Sequence, residues 1–116
     1  MSDIFESYHP DESTPGYATV VVPLALPKVL SYAVPPALFE DIMIGQRAEV
    51  QVGKSKVYAG IIIDLQDSIS DGYEPKPLLS IIDDHPIINE QQIRFWKWLA
   101  AYYCCTLGEV MIAALP

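Results

Sequence analysis

The chain has 116 residues, of which 51% are hydrophobic and 19% are charged, and its formal net charge is −8. A chain of this length forms one domain and buries roughly 65% of the surface that its unfolded form exposes. Its apolar runs are shorter than the roughly 20 residues that a bilayer-spanning helix needs, and its first residues lack the basic and apolar segments of a secretory signal. We therefore expect a globular cytoplasmic protein with no membrane partner.

The negative balance argues against a nucleic-acid partner, because proteins that bind polyanions usually carry a basic surface. The distribution of charge softens that argument. Residues 17–63 carry four basic side chains against three acidic ones, whereas residues 64–116 carry three basic side chains against eight carboxylates. The first half of the domain is therefore the more suitable half for contact with a polyanion.

Composition and periodicity predict the structure of the amino terminus and the positions of the strands. Residues 1–16 are polar and acidic without apolar periodicity, which predicts a flexible acidic leader before a β-rich domain at 17–116. β-Branched runs and polar–apolar alternation predict five strands. These strands lie at 19–22, 30–34, 47–52, 57–65 and 78–82, with a tight turn at 53–56 that makes a hairpin of the third and fourth.

Two helices are predicted at the carboxyl end. Asn89 and Gln92 form a capping-box pattern for a helix at 90–103, and Thr106 and Glu109 form a second one for a helix that reaches Leu115. The first helix carries a broad apolar stripe. Its members are Phe95, Trp98, Leu99 and Tyr102, widened by Ile93, Trp96 and Ala100. The predicted fold class is mainly β with C-terminal helices (α+β), a small curled sheet or partly open barrel closed by two helices.

The sequence offers little catalytic chemistry. Its glycines do not complete a phosphate-binding loop or a dinucleotide fingerprint, and its two histidines are far apart in the chain. The adjacent Cys104 and Cys105 suit reduced, half-buried helix-end residues better than a disulfide or a zinc site. Asp83 and Asp84 at a strand exit indicate turn chemistry. We expect no enzymatic activity, cofactor or metal in this chain.

Some surface residues suit the binding of single-stranded nucleic acid, in which aromatic rings stack on bases and ammonium groups pair with phosphates. They are Tyr32 on the second strand and three candidate phosphate contacts, Lys28, Lys54 and Lys56. The alternative is that Tyr32 fills the core while the lysines solubilise a turn. The residues alone leave both interpretations open.

The order of motifs resembles the N-terminal domain of the PriA family of bacterial replication-restart helicases, over nearly all of residues 17–116. The matching segments lie at 22–28, 30–35, 44–47, 52–54, 82–86, 98–103, 107–110 and 114–116. Each motif is common alone, but eight in this order make coincidence implausible. The resemblance implies a module that recognises the 3′ end of a nascent DNA strand at a stalled replication fork.

The resemblance also implies a site. The aromatic–acidic–aromatic triplet of the family falls on Leu30, Ser31 and Tyr32, of which only Tyr32 keeps the family's type. The family's acidic residue accepts a hydrogen bond from the terminal 3′-hydroxyl, and Ser31 offers a neutral acceptor in its place, which implies weaker selection of the end. Gly53 matches a turn glycine against which a nucleotide lies, and Lys76 matches a basic pocket residue.

Full-length relatives continue into a second DNA-binding domain, an ATP-driven motor and zinc-binding cysteines. The resemblance therefore implies that ATP, Mg and Zn belong to a carboxyl-terminal portion outside this chain, with helicase activity. Its implied partners are DNA with a free 3′-hydroxyl at branched forks, the remaining domains of the same chain and other primosome proteins. The alternative function is a protein-interaction module that docks the motor domain or another restart protein through the acidic half and the aromatic helix.

Overall fold

The computed structural model describes residues 14–69 and 74–115, so most of the predicted leader at 1–16 lies outside the described residues. Gly16, the last residue of that predicted leader, already begins the first strand. In chain order the described elements are β1 (Gly16–Val21), β2 (Leu30–Val34), α1 (Pro36–Phe39), β3 (Arg47–Val52), β4 (Lys56–Gln66), β5 (Ser80–Ile81), α2 (Glu90–Tyr102) and α3 (Leu107–Ala114).

The five strands form one antiparallel open sheet in the order β2-β1-β4-β3-β5. The predicted class of mainly β with C-terminal helices is confirmed, and the sheet is an open one rather than a closed barrel. Its centre is β4, whose Ile61 and Ile62 are completely buried. A register shift between Thr19 and Val20 bends β1 against β4.

The segment 76–82 connects the two sides of this open sheet. Beside β2, the Leu78 amide donates to the Ala33 carbonyl and the Ala33 amide donates to the Lys76 carbonyl, both at 2.9 Å. A few residues later the same segment pairs with β3 as β5, where Ser80 lies opposite Glu49. The strand predicted at 78–82 contracts to two residues, and its first residue, Leu78, hydrogen-bonds to β2 instead of β3.

Apolar side chains pack on both faces of the sheet. On one face the cluster is built from alternate residues of β1 to β4 and covered by the segments at 22–30 and 76–80. Its buried members are Ala18, Val20, Val22, Tyr32, Val34, Ala48, Val50, Ile62 and Leu78. On the other face Val21, Ile61 and Ile63 meet α2 and α3. The strands β1 and β4 therefore contribute to both cores, whereas β2 and β3 contribute buried residues to the first core alone.

Both predicted helices form, and both predicted capping boxes are confirmed. The Gln92 amide donates to Asn89 Oδ1 at 2.8 Å, and the Glu109 amide donates to Thr106 Oγ1 at 3.2 Å. Helix α2 ends one residue earlier than predicted, before Tyr103. Cys104 follows in the left-handed region at φ 55°, which turns the chain into α3.

The broad apolar stripe predicted for α2 separates into two opposite faces. Ile93 and Trp96 are buried against the sheet, whereas Phe95, Trp98 and Tyr102 are 56%, 56% and 64% exposed. The predicted grouping of these three aromatic residues on one face is correct, but that face is turned to solvent. Residues three and four positions apart lie on the same side of a helix. Because α2 is apolar on two sides, the residues predicted to form one broad stripe belong to two different faces.

Three further predictions need correction. The helix α1 was not predicted; it starts at Pro36, whose fixed φ suits the first turn of a helix. Asp83 forms an ion pair with Arg47 instead of serving a turn alone. Cys104 is exposed, whereas Cys105 has the half-buried position expected, and both are free thiols. Within 14–69 and 74–115, no helix is both long and apolar enough to cross a membrane.

Candidate functional site

The turn between β3 and β4 places Gly53 next to open space. Gly53 has φ 74°, a conformation that favours glycine, and a Cβ atom at this position would have no neighbour within 4 Å. The Lys76 ammonium group donates a hydrogen bond to the Gly53 carbonyl oxygen. The structure therefore brings together two of the residues that the sequence singled out, although 23 positions separate them.

A third predicted residue, Tyr32, belongs to the same cluster through Gln51. The Tyr32 hydroxyl donates to the Gln51 main-chain carbonyl at 2.8 Å. The Gln51 side-chain amide in turn donates to the carbonyls of Gly53 at 3.3 Å and Lys54 at 2.7 Å. A buried ring, a strand end and a tight turn are thus held in one network of hydrogen bonds, which fixes the carbonyl that Lys76 contacts.

Burial limits what Tyr32 can do in this conformation. Its side chain is 3% exposed and belongs to the core, which is the alternative that the sequence left open. The stacking role expected for its ring is therefore not available here, and its hydroxyl supports the turn instead. Ser31 is half-buried, and because successive strand residues point to opposite faces, its side chain lies away from that of Tyr32.

Leu30 and Lys28 lie at a separate hollow. A cleft of about 290 Å³ opens between the β1–β2 connection and the corner where α2 meets α3. Leu30 and Lys28 line one side of it, and Lys97 from α2 lines the other. We call this hollow the corner cleft. The predicted site residues thus divide between the corner cleft and the Gly53 turn, and the exposed Lys54 and Lys56 stand on that turn.

The strongest charge pair of the described residues lies at the opposite end of β3. Arg47 Nη2 is 2.8 Å from Asp83 Oδ1, Arg47 Nε is 3.1 Å from Oδ2, and the Arg47 amide also donates to Oδ2 at 2.9 Å. These hydrogen bonds lower the pKa of Asp83 below its usual range and raise the pKa of Arg47. The pair secures the segment after β5 to the start of β3.

The sequence missed Gln51 and Lys97. Gln51 occupies a polar position of an alternating strand two residues before a turn glycine, and that spacing is the only signal it gives. Lys97 gives no signal, because it enters the corner cleft only when α2 packs beside the β1–β2 connection. As for metals, the described part of the chain holds no group of three or more His, Cys, Asp or Glu side chains suited to an ion.

Comparison with known proteins identifies the family to which the chain belongs. Residues 19–116 match the family described as the 3′ DNA-binding domain (3′BD) of PriA. Because the match covers most of the chain, the chain belongs to this family of DNA-binding domains, and the resemblance inferred from its motifs is confirmed.

Two curated relatives are named replication restart protein PriA. The one from Chlamydia muridarum is 27% identical over 104 residues, and the one from Chlamydia trachomatis serovar D is 25% identical over 104 residues. In each case the alignment covers 86% of this chain and 14% of the relative. The chain therefore corresponds to about a seventh of the length of those proteins.

Proposed function

We propose that this domain binds the free 3′ end of a DNA strand at branched DNA such as a stalled fork, as the DNA-reading part of a replication-restart protein. The observation that carries the proposal is the contact between Lys76 and Gly53 in a chain that belongs to the 3′ DNA-binding domain family. This contact holds the Lys76 ammonium group beside the open Gly53 turn, and both residues are ones that the family resemblance implies for the site.

The chemistry of the site suits a terminal nucleotide. Open space beside the Gly53 turn lets the sugar approach main-chain atoms, while Lys76 supplies the positive charge for the preceding phosphate. Leu30 and Ser31 belong to β2, the first strand in the sheet order. A ligand lying against this strand reaches side chains of both faces, and the Ser31 hydroxyl then accepts the hydrogen bond of the 3′-hydroxyl.

Binding of two matched oligonucleotides tests the proposal. One carries a 5′ fluorophore and a free 3′-hydroxyl, and its twin carries a 3′-phosphate. We expect tighter binding of the hydroxyl form, measured by fluorescence anisotropy at low salt. Equal affinity for the two oligonucleotides would contradict recognition of the free 3′-hydroxyl, while the proposal that the domain binds DNA would stand.

A substitution of Ser31 sharpens this test. Ser31→Asp introduces a charged acceptor, which makes a hydrogen bond about twice as strong and repels a terminal phosphate. We therefore expect the preference for the free 3′-hydroxyl to increase. Ser68→Asp adds the same charge at an exposed position outside the proposed site and serves as the control. An unchanged preference in Ser31→Asp would place the 3′-hydroxyl elsewhere.

A second function is favoured by the exposed aromatic row on α2. Phe95 and Trp98 stack with ring centroids 6.1 Å apart, Trp98 and Tyr102 stack at 5.0 Å, and Tyr103 meets Tyr102 edge-on at 4.9 Å. All four are more than half exposed. An apolar patch of this kind marks an interaction surface. The proposed occupant is another domain of the same polypeptide, because the relatives are about seven times as long as the matched segment.

Salt separates the two functions. Binding through phosphates weakens steeply as salt is added, whereas docking of an apolar surface does not. For the test, this domain replaces the matching segment of a full-length relative. Trp98→Ser is then expected to leave the oligonucleotide affinity of the domain unchanged. It is also expected to increase protease cleavage between this domain and the remaining domains. Cleavage at the wild-type rate would argue that the aromatic row contacts nothing within the chain.

A further inference from the structure

The corner cleft combines an apolar lining with two ammonium groups. Most of the residues that line the cleft are aliphatic. Among the described residues, the charged ones that line it are Lys28 and Lys97, and none is a carboxylate. This composition is unexpected in a protein with 15 acidic residues and seven basic ones. Two of the five lysines of the chain line the corner cleft.

Neither of these lysines is neutralised within the described residues. The ion pair of that part of the chain joins Arg47 to Asp83, and Glu109 uses its carboxylate to cap α3 through Thr106. Both side chains are exposed, so an anion in the corner cleft would lie beside two positive charges. The charges are therefore complementary to a negatively charged ligand.

The apolar part of the lining indicates what kind of anion this is. Leu24, Leu26 and Leu30 from the β1–β2 side face Ala100 and Leu107 from the helices. The volume, about 290 Å³, is at the small end of ligand sites, which are mostly apolar with a few placed polar groups. A free inorganic anion would gain nothing from these aliphatic walls, whereas a nucleotide offers a base and sugar for the walls and a phosphate for the lysines.

The position of Leu30 relates the corner cleft to the proposed DNA site. Leu30 and Tyr32 are two residues apart on the same face of β2, which corresponds to about 7 Å along a strand. One end of β2 thus borders the corner cleft, and its middle borders the network around Gly53. A DNA strand whose end lies at Gly53 would reach the corner cleft with a nucleotide further from that end.

We propose that the corner cleft holds an interior nucleotide of single-stranded DNA, with its base between the aliphatic walls and its phosphate between Lys28 and Lys97. This inference rests on the DNA binding proposed above, but not on recognition of the 3′ end. It adds Lys97 as a binding residue and gives Lys28 a specific partner. It also predicts that the domain engages a longer stretch of strand than the terminal nucleotide.

The experiment compares a labelled dT8 with a labelled dT2, both with a free 3′-hydroxyl. Lys97→Ala and Lys28→Ala are each expected to weaken dT8 binding several-fold while leaving dT2 almost unaffected. Each is also expected to lower the salt slope for dT8 by about 0.7, the loss of one phosphate contact on single-stranded DNA. Arg94→Ala removes the same charge from an α2 residue that does not line the corner cleft, and it is the matched control.

Cys105 provides a direct readout, because it lines the corner cleft and its exposed neighbour Cys104 does not. In Cys104→Gly, which suits the φ of 55° at that position, Cys105 is the single thiol. Saturating dT8 is expected to slow its alkylation by iodoacetamide several-fold, and dT2 is expected not to.

Unchanged dT8 affinity in both lysine variants, or alkylation of Cys105 at the same rate with and without dT8, would overturn the inference. Equal binding of the 3′-hydroxyl and 3′-phosphate forms with full Lys97 dependence would instead overturn only the recognition of the 3′ end. The two failures are therefore distinguishable.

Discussion

The hydroxyl of Tyr32 lies 2.8 Å from the main-chain carbonyl oxygen of Gln51, and this bond ties the middle of β2 to the end of β3. Those two strands are not neighbours in the sheet, whose order is β2-β1-β4-β3-β5. The bond therefore runs across the core face and supports the turn that carries Gly53. The buried Tyr32 is thus connected to the exposed Gly53 turn through the main-chain carbonyl and the side-chain amide of Gln51.

Tyr32→Phe tests that connection. The substitution keeps the ring and removes the bond, leaving the Gln51 carbonyl without this donor, so we expect a loss of about 1 kcal/mol in the free energy of unfolding. Urea denaturation followed by tryptophan fluorescence measures it. We also expect weaker DNA binding, because the Gly53 turn is less firmly held. Wild-type stability would mean that water replaces the hydroxyl at no cost.

Lys76→Ala is expected to weaken oligonucleotide binding several-fold with little effect on stability, because the lysine side chain is exposed. Its contribution should shrink as salt is raised, since the contact proposed for Lys76 is with a phosphate. Anisotropy titrations at two salt concentrations measure the change, with Arg94→Ala as a control for loss of charge. Unaltered affinity would return Lys76 to a purely solvated surface role.

Gly53 and Gly45 make a contrasting pair. Both have positive φ, but a Cβ at Gly45 would lie 2.1 Å from the Ile88 carbonyl oxygen, whereas a Cβ at Gly53 meets nothing within 4 Å. Gly53→Ala should therefore cost only the backbone strain, about 1 kcal/mol, and Gly45→Ala should cost considerably more. Thermal unfolding compares the two.

The same pair of variants bears on DNA binding. If a nucleotide lies against the Gly53 turn, Gly53→Ala should weaken binding more than its small stability loss explains. A variant that binds DNA like the wild type would show that the ligand keeps clear of this turn.

The Arg47–Asp83 pair predicts a pH dependence. Because Arg47 lowers the pKa of Asp83 in the folded state, the stabilisation is fully present above the unfolded pKa of about 3.9 and is lost as pH falls through the lower folded value. Asp83→Asn should cost about 1 kcal/mol at pH 7, a modest value because the Arg47 side chain is 42% exposed. The cost should shrink as the pH falls below about 4 towards the lower folded pKa, which denaturation at several acidic pH values measures. A cost independent of pH would assign the stabilisation to packing.

Substitution of the two tryptophans of α2 should destabilise the domain to different extents. Trp96→Ala removes a buried side chain and is expected to cost about 3–5 kcal/mol. Trp98→Ser removes only solvent-exposed stacking, for which about 1 kcal/mol is expected. Chemical denaturation of both variants measures the difference. Equal costs would indicate that Trp98 is covered in solution.

Most elements of the fold could be predicted because their signals are local. The bounds of β2 and β3, the hairpin at Gly53 and both capping boxes follow from alternation, turn residues and side chains three positions apart. Features that depend on distant contacts could not be predicted. One such feature is the division of the segment 76–82 between β2 and β3. Another is the two-sided character of α2, because periodicity shows which residues share a helix face but not what each face packs against.

The candidate site was only partly predictable for the same reason. The resemblance supplied Gly53 and Lys76, and the structure shows their contact, but sequence spacing contains no sign that Gln51 organises the turn. Tyr32 illustrates the limit well, since an aromatic residue on an alternating strand suits a core and a ligand equally.

The double attachment of the segment 76–82 has a consequence for self-association. Exposed strand edges are templates on which another chain adds a strand, and this is a common route to aggregation. Here the outward amide of Ala33 already donates to the Lys76 carbonyl, and its carbonyl already accepts from the Leu78 amide. Two residues of β5 cover Ala48 and Glu49. A single connection thus leaves fewer open main-chain groups at the edges of β2 and β3 on which another chain could add a strand.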